Sequence, residues 1–185
     1  MPDDSDVPLD ASPQDRIAVA IEKYGEAVVA DRAAALLGGA NEGEEFLLWV
    51  GGRHAQGILD GAPPLYWPEV WGARALLVAW DASVAEAVRL GLHNQAWRVR
   101  EMCCRVATTH ELPFAADLVL LLTDETPRVR AQAARALGAV GEFEDGLLVR
   151  TLLKDPEVEV RRQANATLKE LAERLGRPIE PESAE

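Results

Sequence analysis

Three segments of this chain are nearly the same. Asn94-Gln95-Ala96-Trp97-Arg98-Val99-Arg100 is followed by Asp124-Glu125-Thr126-Pro127-Arg128-Val129-Arg130, and then by Asp155-Pro156-Glu157-Val158-Glu159-Val160-Arg161. The Val-Arg pair returns after 30 residues and then after 31. A fixed period in this range marks a stacked repeat, in which each unit covers the apolar face its neighbour leaves open.

Within each unit the apolar spacing is helical. In the first helix of a pair, Val88, Leu118 and Val149 share one position, and Leu92, Leu122 and Leu153 lie one turn later. Small residues (Ala85, Ala115, Gly146) stand one turn earlier, where helices can approach closely. The second helix starts at Val99, Val129 and Val160. Cys103, Ala133 and Ala164 follow at i+4, then Ala107, Leu137 and Leu168 at i+8. This is a single apolar stripe of helical period. Between helices, Asp124, Thr126 and Asp155 suit capping, and Pro127 and Pro156 suit a first turn. Gly141 is expected to end its helix in the left-handed conformation.

The resulting pattern is Asp-x-x-x-x-Val-Arg-x-x-Ala-x-x-Ala-Leu-Gly-x-x-Gly. It resembles the HEAT-repeat family, most closely its short phycobilin-lyase-type variety. Asp124, Val129, Arg130, Ala133, Ala136, Leu137, Gly138 and Gly141 match throughout, and Asp155, Val160, Arg161, Ala164 and Leu168 match in the last unit. The unit around Val99-Arg100 departs, with Asn94 in place of Asp and His110 where the others have Val140 and Leu171. The resemblance implies an all-α fold, an α-solenoid of HEAT-like antiparallel helix pairs. It also implies a scaffold or adaptor that is not an enzyme and binds a protein on the concave face of its second helices. Other HEAT-like proteins act on DNA, and some are auxiliary lyases or chaperone-like factors, so these remain alternatives.

Before residue 82 the pattern weakens. Residues 1–11 are rich in Asp and Pro and are expected to be disordered. An irregular helical N-terminal cap is expected over 12–66, opened by Ser12-Pro13 and punctuated by Gly25, Gly38-Gly39 and Gly51-Gly52. HEAT-like repeats are expected over 67–175, the first of them degenerate. Its second helix would be 67–80, with Trp71 aligned on Val99, Ala75, Val78 and Ala79 inside, and residues 42–60 as its partner. A helix from Ser83 is expected to open with a Ser83/Glu86 capping box. Residues 176–185 are expected to be a flexible tail.

Charge restricts the partner. The formal net charge is −12, which argues against general binding to nucleic acid or anionic membrane. The imbalance is local: residues 1–60 carry a net charge of −8, whereas residues 61–135 carry eight charges of each sign. A basic face can therefore sit in an acidic protein. No apolar run is long enough to cross a membrane, and no leader is apparent, so a cytoplasmic location is expected. Adjacent Cys103 and Cys104 point about 100° apart on a helix, so they are read as buried apolar residues rather than a disulfide.

The arginines carry most of what the sequence says about binding. Arg100, Arg130 and Arg161 recur at one position, and Arg105 and Arg135 at another. Two readings are open for the first set. They could grip a partner's carboxylates through their planar forks. The favoured alternative is that each bonds the groups of an inter-helix turn. Arg98, Arg105, Arg128 and Arg135 better suit a partner. Together with Arg100 and Arg130, and with Trp67 and Trp97 as aromatic anchors, they form the expected binding surface for an acidic protein segment. His54, His93 and His110 have no spacing that suits a metal, so neither metal nor cofactor is expected. No nucleophile–base pair or phosphate loop can be picked out.

Overall fold

A computed structural model of the chain describes residues 7–180. Among them the fold is all-α: eleven α-helices, three 3-10 turns and no strand. The chain divides into two compact units, Met1–Val106 and Ala107–Glu185, with the boundary inside one helix.

The first unit contains α1 (Pro13–Tyr24), α2 (Glu26–Leu37), α3 (Glu44–Gly51), α4 (Arg53–Leu59), α5 (Trp67–Ala75) and α6 (Ala85–Gly91), and α7 (Trp97–Thr109) begins in it. The Ser12 side chain accepts from the backbone N–H of Asp15 to cap α1, and Pro13 follows in the first turn. Gly25 ends α1 with its N–H donated to the Ile21 carbonyl at 2.8 Å. The core is built from Ile17, Val29, Leu36, Phe46, Trp49, Trp71, Leu76 and Val88, all buried.

Helix α5 packs chiefly on α2, and to a lesser extent on α3. The expected pairing with residues 42–60 is therefore not the main one. Gly72 gives the reason: a Cβ built there would stand 2.6 Å from the Ala33 carbonyl oxygen and 2.8 Å from the Leu37 nitrogen. The missing side chain lets the α5 backbone lie against the α2 backbone. Trp71, Ala75 and Ala79 are buried as the repeat register predicts, but Val78 is only half-buried, because the helix stops at Ala75 and continues as tight turns.

The second unit contains the end of α7, then α8 (Ala115–Leu120), α9 (Pro127–Val140), α10 (Phe143–Thr151) and α11 (Val158–Leu175). Helices α9 and α11 form the principal contact, with α8 and α10 packed beside them. Val129, Ala133 and Leu137 on α9, and Val160, Ala164 and Leu168 on α11, are buried along the predicted stripe. The Thr167 hydroxyl, fully buried in this contact, donates to the Ala134 carbonyl at 3.1 Å.

Four local expectations change. The capping box at Ser83 does not form. Asp81 accepts from both the backbone and the hydroxyl of Ser83, while Glu86 pairs with Arg89. Gly141 is extended (φ −73°, ψ 157°), and Glu142 and Asp145 cap α10 reciprocally instead. Residues 7–11, placed in the disordered stretch, form turns whose Leu9 and Ala11 carbonyls accept from Arg16, and Asp10 pairs with Arg53; residues 1–6 lie outside the described residues. In the tail, Ile179 is buried and its carbonyl accepts from Arg150 at 3.2 Å, so residues up to 180 pack on the second unit. Residues 181–185 lie outside the described residues.

Candidate functional site

The repeated Asp/Asn–Arg signature builds one turn three times. Asn94, Asp124 and Asp155 each accept on a side-chain oxygen from the backbone N–H two residues on, at 2.8, 2.8 and 2.9 Å. These are Asx turns, which hold the chain open for the next helix. The arginine six residues later closes each turn. Arg100 donates to the carbonyls of Asn94 and Gln95, Arg130 to those of Asp124 and Glu125, and Arg161 to those of Asp155 and Pro156. Arg130 does more: its Nε and Nη2 form a fork on the Asp155 carboxylate at 2.7 and 2.9 Å. Their side chains are only 12% and 5% exposed. That fork, the largest influence on Asp155, holds its carboxyl below the usual range and raises Arg130 further.

These bonds place Arg100 and Arg130 in the turns. Arg105, Arg128 and Arg135 are exposed. Arg128 and Arg135 lie on α9 of the second unit, seven residues apart and so about two turns along one face. Arg105 lies on α7 within the first unit.

Arg98 belongs to an aromatic cluster of the first unit. Its guanidinium stands 5.4 Å from the Trp67 ring centre and 4.5 Å from that of Trp97. Trp67 stacks on Trp71 at 6.3 Å and meets Tyr66 at 5.5 Å. Trp67, Trp97 and Arg98 are half-buried, and the Arg98 Nε has no hydrogen-bond partner among the described residues. A cation between two indole faces is attracted by the ring quadrupoles and presents a flat, partly dry surface.

Among the described residues no group of three or more His, Cys, Asp or Glu side chains is placed to hold a metal ion. Cys103 and Cys104 are buried and not joined in a disulfide, and burial pushes the Cys103 thiol up, away from the reactive thiolate. No helix of the described residues is long and apolar enough to cross a membrane.

The period, the paired helices and the Asx turn closed by arginine recur through this region. Residues 85–169 match the family of HEAT repeats. No curated protein matches the chain. The HEAT match covers α6 to most of α11 and leaves α1–α5 outside it. In HEAT terms, α6, α8 and α10 are first helices, and α7, α9 and α11 are second helices. The family's Asp and Arg are the residues that build the turn.

One site feature escaped the sequence. In the first unit, a cavity of about 340 Å³ lies between the start of α1, the end of α3, α5 and α7, with Arg74 and Arg105 in its wall. Arg74 and Arg105 share no motif or spacing in the sequence.

Proposed function

We propose that the chain is a non-enzymatic HEAT-repeat adaptor that binds an acidic segment of a partner protein through exposed arginines on its second helices. One observation carries this reading. The arginines at the Arg100, Arg130 and Arg161 positions are spent on turns, whereas Arg128 and Arg135 are exposed on one face of α9, in a chain of net charge −12. A turn needs the first set, and the second set is solvent-exposed. Arg98 with Trp67 and Trp97 supplies a separate patch in the first unit of the kind enriched at interface hot spots. The unit of 30–31 residues favours the short, phycobilin-lyase-type variety of the repeat. The net negative charge weighs against a nucleic-acid partner.

The test is affinity capture from the source cells after nuclease treatment, with the wild type and the Arg128→Glu/Arg135→Glu double variant. Both positions are exposed, so the variant should keep its helical spectrum and melting temperature. Partners that survive nuclease and are lost with the variant support the reading. Partners retained by a folded variant, or lost to nuclease from the wild type, overturn it.

A further inference from the structure

Among the described residues of the first unit, one buried and one half-buried arginine pair with no carboxylate. Arg16 on α1 is 4% exposed and donates to the carbonyls of Trp49, Leu9 and Ala11. Arg74 on α5 is half-buried and donates from Nη2 to the Val50 carbonyl at 2.8 Å. Among the described residues neither pairs with a carboxylate: all their partners are backbone oxygens. Trp49 and Val50 close α3, and a helix C-terminus supplies only about half a negative charge. Two guanidinium groups meet there, so among the described residues most of their charge is unbalanced. Burial, with Arg16 beside it, pushes Arg74 down to about 10, which leaves it charged at neutral pH.

Arg74 faces the cavity of about 340 Å³, and Arg105 lies in the same wall. The remaining wall is largely apolar: Ile17, Val50, Ala75, Leu77 and Val78. We propose that this cavity binds a carboxylate carried on a short apolar stem, the carboxylate between Arg74 and Arg105 and the stem against Ile17, Val50 and Leu77. The fork of a guanidinium matches the two oxygens of a carboxylate. The volume is at the small end of ligand pockets, which fits a stem of a few carbons. The apolar wall disfavours a strongly hydrated dianion such as phosphate. The same chemistry is offered by a free organic acid and by a glutamate flanked by apolar residues in a peptide. The site stands on residues of the first unit alone. Its failure would leave the Arg128/Arg135 reading untouched, and the reverse holds too.

The full chain is titrated by calorimetry with four probes: hexanoate, hexanamide, inorganic phosphate and the blocked peptide acetyl-Leu-Glu-Leu-amide. Saturable binding of hexanoate at one site per chain, with hexanamide at least about tenfold weaker, is expected from the loss of a charge-assisted hydrogen bond. Hexanoate should also raise the melting temperature by mass action. Arg105→Glu, an exposed change that leaves the core alone, should weaken hexanoate at least about tenfold by placing a like charge in the wall. Val78→Trp, which fills the cavity, should abolish binding while circular dichroism confirms the fold. Tighter binding of the peptide than of hexanoate would identify a partner's side chain as the source, and the converse a free acid. Equal affinity for hexanamide, phosphate binding as tight as hexanoate, full affinity in Arg105→Glu, or binding of neither carboxylate would overturn the proposal.

Discussion

Asp155 shows how much one side chain can hold. Its carboxylate accepts the fork from Arg130 and the N–H of Glu157, so it orders its own turn and joins α9 to the turn before α11. Removing one partner from a buried ion pair costs about 3–5 kcal/mol, because the other charge stays buried alone. Asp155→Ala should therefore lose stability on that scale by urea denaturation. The pH dependence has a definite sign. The folded carboxyl titrates below its ordinary value of 3.8, so its stabilisation is present above that value and is lost as pH falls through the folded one. Melting temperatures of wild type and Asp155→Asn should differ at pH 6 and converge as the pH falls below 3.8 and through the folded carboxyl's titration. A constant gap across that range would show that the carboxylate's charge contributes nothing.

At the scale of the element, the second helices were legible because their spacing is regular. Val129, Ala133 and Leu137 read as a stripe and are buried as one. The choice between turn and partner for Arg100, Arg130 and Arg161 was open in the sequence, since both uses need the same residue type; only the bonds to the carbonyls decide it. The N-terminal helices were less legible. The α2–α5 contact depends on two backbones meeting at Gly72, and a glycine leaves no periodic mark. The cavity was illegible for a related reason: Ser12, Val50, Arg74 and Arg105 are far apart in the chain and share no motif. The helix contact leads to a paired prediction. Gly72→Ala must push its Cβ into the carbonyl of Ala33, and backbone cannot swing aside as a side chain can. It should cost about 1–3 kcal/mol as overpacking. Gly57, within α4, has nothing within 4 Å of a built Cβ. Gly57→Ala should instead stabilise by about 0.5–1 kcal/mol through helix propensity. Chemical denaturation of the two variants measures both signs, and a neutral Gly72→Ala would refute the close approach.

For the whole molecule, the division into two compact units bears on how stability is distributed. In a repeat array each element draws its stability from its neighbours, so a defect is felt first where it is made. Local opening then reports the weakened region before global unfolding does. The second unit is tied by the α9–α11 packing, by the Arg130–Asp155 fork and by Arg174, which donates to the Gly138 and Gly141 carbonyls. The first unit is held by a different set: Trp49, Phe46 and Trp71 in its core, and Arg16 and Arg74 on the end of α3. A substitution such as Asp155→Asn should therefore act unevenly. Hydrogen exchange read by mass spectrometry should quicken most in the peptides of α9 to α11 and least in those of α1 to α5. Gly72→Ala should give the reverse order. Equal acceleration of both sets by either variant would mean that the chain opens as one cooperative block, despite its two centres of packing.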